Sequence, residues 1–476
     1  MFKLSVLQVF IMKKPNRVRK ESEYKVRGAS VSNIEVLREL RAMKKIIRER
    51  HLRLGYYGDM IFAVVLAISI TEVFATAYGY TNFYDSDKKD IAILFRLVDD
   101  ERQYFTAIGN LTCFIEGTKL NESNVNCVCK NDYKGNDCGI PSSVFDTINN
   151  FYKPINLTRR IRPRRIINAL NFNHETDLLE SRLCDLEDVV DIFVICESNF
   201  TAYGDPKRLL LKEALNSNRV IERHSKKIMH ILLDKMPSTD SGWIINRYFR
   251  VYMGHKSIPY IMNKRDDDLV ILNDADEIPT REVLLFLKLY KGYPTPVKLG
   301  MKLSIFGFFW RKKQDVVSSN QPELTSMGSV TTVKMLNDVF NGDIFMMRYI
   351  RNSPSEMPQI LKAISQYRKK VGEPVGWWNI GTIKHPAGFH CSWCLRTESI
   401  RQKMLAAHKD DKPRWGDFPN KTDLNYIINL IKTGEWFDGT KPLMRSYEKI
   451  EGINYAPRYI LQNREKFQYL LYLEEK

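Results

Sequence analysis

The chain has 476 residues, 44% hydrophobic and 27% charged, which suits one large globular domain with appendages, or two domains, and excludes collagen-like, wholly disordered and polytopic membrane classes. Lys and Arg number 73 against 56 Asp and Glu, a net charge of +17. Residues 1–59 alone hold 15 Lys/Arg against 6 Asp/Glu, so more than half of the excess sits in the first eighth of the chain. A nucleic-acid function, which needs basic charge spread over a folded surface, is therefore disfavoured.

That basic leader runs into Met60–Tyr80, 21 mostly apolar residues flawed by one acid, Glu72. About 20 such residues cross a bilayer core. The Lys/Arg crowding before it predicts a cytoplasmic tail over 1–59, a signal anchor over 60–80, and everything later on the lumenal side. A short buried helix is the alternative reading. All eight cysteines and the five Asn-x-Ser/Thr acceptors, Asn110, Asn121, Asn156, Asn199 and Asn420, lie beyond the span, as an oxidising compartment requires.

A stem over 81–160 follows, and then a region, 161–476, that opens with alternating strands and helices. Within the stem, the run from Cys127 and Cys129 to Cys138, with Cys113 upstream, resembles the C-terminal half of an EGF-like module. So small a unit has too little core to fold without disulfides. The resemblance implies the pairs Cys113–Cys127 and Cys129–Cys138, although four cysteines permit three pairings. The module reads as a structural spacer ahead of a protein-binding site.

Further on, the apolar run from Ile166 to Leu170 is of strand length. Leu179, Leu183 and Leu186 share a helical face, and Val189–Cys196 is apolar enough for a strand covered on both sides. A helix near Pro206–Leu215, a strand Ile228–Leu233, a helix Trp243–Met262, a strand Leu269–Leu272 and a helix Thr280–Tyr290 complete the alternation. The pattern predicts an α/β fold with a mostly parallel central sheet. In such sheets ligands collect beyond the C-terminal ends of the strands.

Asp274-Ala-Asp276-Glu277 stands at one of those ends. Two carboxylates around one small residue suit a hard divalent cation, Mn²⁺ or Mg²⁺, with positions left for phosphate oxygens. The competing reading is that Asp276 and Glu277 cap the next helix. With Asp274-Ala-Asp-Glu-Ile-Pro279, the motifs Val189–Pro206, Gly307-Phe-Phe-Trp310, His390-Cys-Ser-Trp-Cys394, Pro413-Arg-Trp-Gly-Asp417, Asp423–Ile427 and Trp436-Phe-Asp-Gly-Thr440 resemble, in one order over about 163–470, glycosyltransferase family 17. That resemblance implies a Golgi type II membrane enzyme with a GT-A-like nucleotide-binding fold and a divalent metal. It further implies inverting transfer of GlcNAc from UDP-GlcNAc to the 4-hydroxyl of the core β-mannose of N-glycans.

Asp274 and Asp276 are then the expected metal pair. Glu197, at an earlier strand end, resembles in position a donor-binding acid, and Arg247, with Arg250, can reach phosphates from the long helix. Glu277, Asp417 and Asp438 are the candidate catalytic bases. Trp310 and Trp378 are the aromatics singled out for stacking on an acceptor sugar. His385, His390, Cys391 and Cys394 invite a zinc reading, against which a disulfide to Cys184 or Cys196 is favoured because neighbouring strand positions face opposite sides. A catalytically silent lumenal glycoprotein that binds glycans or proteins is the rival from another class, separable by donor hydrolysis.

Overall fold

The computed structural model describes residues 95–97 and 104–473, apart from 124, 152–153, 238, 240, 313–323, 350–357, 373, 447, 449, 451 and 453. The predicted tail and membrane anchor lie outside the described residues. Among the described residues no helix is long and apolar enough to cross a membrane.

One nine-stranded sheet organises the unit that spans 92–476. Its strands are β1 (Ile166–Asn171), β2 (Ile192–Ser198), β3 (Ile228–Leu233), β4 (Leu269–Asp274), β5 (Glu277–Pro279), β6 (Thr295–Ile305), β7 (Leu324–Thr332), β8 (Val375–Ile380) and β9 (Gly388–Ser392). The order is β5-β9-β6-β7-β4-β1-β2-β3, with β8 also on β6. β4, β1, β2 and β3 run parallel, as the alternation predicts. The other half is mixed, because β7 enters antiparallel to both β4 and β6 and β5 antiparallel to β9.

Helices cover both faces of the parallel half. Strand alternation sends Ile166, Leu170, Phe193, Ile195, Leu269 and Ile271 to one side. There they meet Leu179, Leu183 and Leu186 of α1 (Thr176–Leu186), Leu211 of α2 (Leu210–Ser217), and α4 (Arg281–Leu289). Ile167, Ala169, Val194, Val270 and Leu272 point the other way, onto Met253 of α3 (Gly242–Ser257), onto Val333, Leu336 and Val339 of α5 (Val333–Phe340), and onto Met347 of α6 (Ile344–Tyr349). The strand expected from Val189 begins instead at Ile192, because the Val189 and Val190 amides still donate to Leu186 as the chain leaves α1.

The disulfide-bridged module is packed onto the domain rather than held off it as a spacer. Cys113 pairs with Cys127 and Cys129 with Cys138. Phe114, Tyr133, Val144 and Phe151 join the same buried cluster as α4. Polar ties lock the contact: Arg281 of α4 holds Glu116 at 2.6 Å and Asp188 at 2.9 Å, and Tyr290 donates its hydroxyl to Asp137 at 2.7 Å.

Trp378 of β8 lies in this shared core, 1% exposed, against Phe286 and Tyr293, and its indole N–H donates to the Thr147 carbonyl at 3.1 Å. Its ring has no open face for a sugar. Trp378→Phe is therefore expected to lower stability by about 2 kcal/mol through lost volume and an orphaned carbonyl. Urea denaturation checks this; unchanged stability would restore the stacking role.

Candidate active site

The acidic motif folds as a tight reversal. β4 ends on Asp274, the chain turns through Ala275 and Asp276, and β5 starts at Glu277. Such a turn strands carbonyls away from water, and one side chain collects them. Arg182, fully buried on α1, donates Nη2 to the carbonyls of Asp274 (2.7 Å), Ala275 (3.3 Å) and Glu277 (2.6 Å), and Nη1 to Asn168 Oδ1 (3.1 Å). Burial pulls the Arg182 guanidinium down to about 10, opposed by Glu277, Asp276 and Asp274. It stays charged at neutral pH and fixes the turn from beneath.

The three acids then meet different partners. Asp274 bonds Arg250 of α3 at 2.6 Å and pairs with Arg348 of α6 at 2.9 Å. Burial would lift its carboxyl, but Arg250 and Arg348 prevail and hold it well below the usual range. Glu277 is 1% exposed and accepts a fork of two bonds from Arg348, at 2.7 and 2.9 Å, while its Oε2 also takes the Asp274 amide at 3.0 Å. Asp276 keeps looser company: Lys403 of α7 (Thr397–Leu405) stands 3.8 Å away and His390 of β9 3.9 Å. Burial raises its carboxyl, with Lys403 and His390 opposing.

The β5–β9 register explains why a histidine joins the acids. Glu277 sits directly opposite His390, and the Cys391 amide donates to the Asp276 carbonyl at 2.9 Å. Cross-strand partners share a face. Ligand atoms of Asp276, Glu277 and His390 lie within 4.8 Å of one another. This trio, rather than the expected Asp274/Asp276 pair, is the group that could hold a divalent cation, since Asp274 already neutralises two guanidinium groups. Carboxylate oxygens with an imidazole nitrogen are donors that a divalent cation can take. Asp276 and His390 offer the freer donors, while Glu277 keeps a lone pair only on Oε1, since Oε2 already accepts from Arg348 and from the Asp274 amide.

The remaining sequence candidates fall in several places. Glu197 at the end of β2 is completely buried and accepts from the Leu211 and Lys212 amides at 2.7 and 3.2 Å, so it caps α2 rather than presenting its oxygens to a donor. Arg247 lies 4.0 Å from Asp343 and over the Phe345 ring; its neighbour Arg250 is the one in the site. Trp310 is buried with Phe309, donates to the Ile431 carbonyl at 2.7 Å and carries Arg445 on its ring, which makes it core. Asp417 is exposed and pairs with Arg414, and Asp438 is exposed and bonds the Thr440 amide and hydroxyl. Of the three candidate bases only Glu277 stands in the cluster, and its oxygens are committed to Arg348. Asn110, Asn121, Asn156, Asn199 and Asn420 are all exposed.

The expected link from Cys391 or Cys394 to Cys184 or Cys196 is not formed. Cys391 and Cys394 pair with each other, leaving Cys184 and Cys196 as free thiols. β9 ends at Ser392, and Trp393 takes a left-handed φ of +59°, so the chain folds back instead of continuing as a strand. Among the described residues the zinc grouping of His385, His390, Cys391 and Cys394 is not built, since the two thiols are spent on their disulfide and His385 bonds Asp146. Unreduced, denatured protein is expected to titrate two thiols per chain, with the 391–394 link found by peptide mapping; none titrating would reinstate the long-range pairing.

A sheet half parallel and half mixed, with acids, a histidine and four cationic side chains at one strand end, defines a mixed α/β protein with a charged site at its sheet rim. Residues 149–338 match the model of glycosyltransferase family 17. The beta-1,4-mannosyl-glycoprotein 4-beta-N-acetylglucosaminyltransferase of Homo sapiens is 42% identical over 349 residues, covering 73% of this chain and 62% of the relative. Its Rattus norvegicus counterpart is 41% identical over 73% of this chain and 61% of the relative. The chain thus spans about three fifths of the length of these relatives. Among solved structures, the glycosyltransferase GlyE of Streptococcus pneumoniae TIGR4 aligns with a TM-score of 0.23 and 10% identity over 60% of this chain and 66% of that one, too slight a likeness to bear on the site.

Proposed function

We propose that this chain is an inverting N-acetylglucosaminyltransferase, moving GlcNAc from UDP-GlcNAc to the 4-hydroxyl of the core β-mannose of N-glycans, through a GT-A-like nucleotide-binding domain. The observation that carries the chemistry is the Asp276, Glu277 and His390 cluster at the C-terminal rim of a parallel half-sheet, joined to the 41–42% identity with relatives so named. The rest of the proposal is a Golgi type II protein, with a cytoplasmic tail over 1–59, an anchor over 60–80, a stem over 81–160 and a lumenal catalytic domain over 161–476. The even cysteine count and the five exposed acceptor asparagines support that placement.

Asp276 and His390, with Glu277 beside them, would hold Mn²⁺ or Mg²⁺, which when bound supplies Lewis-acid neutralisation of a diphosphate leaving group. The chain's own part is preorganisation. Arg182 fixes the turn, Arg348 clamps Asp274 to Glu277, and Lys403 keeps a cation next to the reacting end, so the field is set before the donor arrives. Full-length protein given UDP-GlcNAc, Mn²⁺ and a panel of free N-glycans should form one new β-linked GlcNAc on the core mannose, read by mass spectrometry with linkage analysis. No transfer to any glycan, with no UDP released, would leave the silent glycoprotein as the reading.

A further inference from the structure

Beside the acidic turn, along the same rim, buried polar groups are left without partners. Lys207 follows β2 and is tethered there by its amide, which donates to the Asn199 carbonyl at 2.8 Å. Its ammonium is buried and bonds nothing. Both ring nitrogens of His174, which is 9% exposed in the loop between β1 and α1, are also unpartnered, as is the Asn171 side-chain carbonyl at the end of β1. β1 and β2 are adjacent and parallel, with Asn171 opposite Cys196, so these groups gather at one pair of strand ends. The acids nearby are already committed. Glu197 gives both oxygens to the amides of α2, while Glu175 accepts Lys403 at 3.1 Å and the His174 and Asn173 amides at 2.9 and 3.2 Å. An ammonium in that position is costly unless an acceptor arrives from outside.

We propose that Lys207 and His174 form a binding subsite for a phosphoryl group, which rests on the reading above in that the phosphoryl group is one of the sugar nucleotide's own. Location supports it: Lys403 bridges the two regions, 3.1 Å from Glu175 and 3.8 Å from Asp276, so a ligand along the rim meets the acidic cluster at one end and Lys207 at the other. Burial lowers the His174 ring to about 4, so at neutral pH it offers one N–H and one acceptor; burial lowers the Lys207 ammonium as well, with Glu197 and Glu175 opposing, and an arriving phosphoryl anion favours its charged form.

Calorimetric titration of full-length protein, both without and with Mn²⁺, using UDP, uridine and inorganic phosphate as probes, decides the matter. Lys207→Met should weaken UDP by about 10- to 100-fold, the worth of one or two charge-assisted hydrogen bonds, and leave uridine unchanged. Lys207→Arg should keep most of the affinity. His174→Phe, which leaves the lysine in place, should weaken UDP by several-fold and is read instead if Lys207→Met does not fold. Parent-like UDP affinity in both variants overturns the subsite, as does equal loss of UDP and uridine. If the parent binds phosphate in a Lys207-dependent way but no UDP, the sugar-nucleotide reading fails and the anion site stands; if it binds neither, both fail.

Discussion

Asp276→Asn is expected to cut UDP release from UDP-GlcNAc by about 10²- to 10³-fold, the loss typical of removing one preorganised electrostatic group from a reacting centre, while the protein unfolds at the parent's temperature. The reason lies in how the three acids are partnered. Asp276 makes no contact shorter than 3.8 Å to a cation, so neutralising it strands no guanidinium. Asp274→Asn should behave in the opposite sense. It deprives Arg250 and Arg348 of a counter-charge held at 2.6 and 2.9 Å, and breaking a largely buried pair costs about 3 kcal/mol. Calorimetric melting and donor hydrolysis on both variants therefore separate the roles. Equal loss of activity with unchanged melting in both would return Asp274 to the metal pair.

How far the sequence reveals this site depends on which side chains carry a periodic signature. The parallel half-sheet was legible because β1, β2 and β4 are continuous apolar runs spaced by helical patterns, and the acidic motif was conspicuous at the end of one of them. The mixed half was not, since β5 is three residues long and β9 earns its place by register against it. His390 drew attention beside two cysteines, and the zinc reading misplaced it because the fold-back at Trp393 cannot be seen in a list of residues. Lys403 and Arg348 look like ordinary surface cations on amphipathic helices, and only tertiary packing aims them at the acids. Trp310 and Trp378 erred in the other direction: an aromatic near a suggestive motif is most often core. Arg182 did leave a signal. It lies between Leu179, Leu183 and Leu186 on the face of α1 that is buried, and a charged residue in an apolar stripe asks what it is bonded to.

The answer to that question yields the second large effect. Arg182→Met keeps the length and the apolar stem of the side chain but removes every donor from beneath the turn, leaving the carbonyls of Asp274, Ala275 and Glu277 without the guanidinium that joins them. Unsatisfied buried carbonyls cost about 1–3 kcal/mol each; with relaxation, a net loss of about 3–4 kcal/mol in unfolding free energy is expected. Activity should fall by more than about 10²-fold even in the folded fraction, because a displacement of about 1 Å at a reacting centre is enough for that. Arg182→Lys is the sharper variant. It preserves the charge, yet one ammonium cannot reproduce a planar fork that reaches three carbonyls and Asn168 together, so it should recover little of either quantity. Urea denaturation gives the stability, and UDP release normalised to the folded fraction gives the chemistry. A lysine variant as stable and as active as the parent would mean that the turn is held by its neighbouring strands, and that the guanidinium beneath it only fills space.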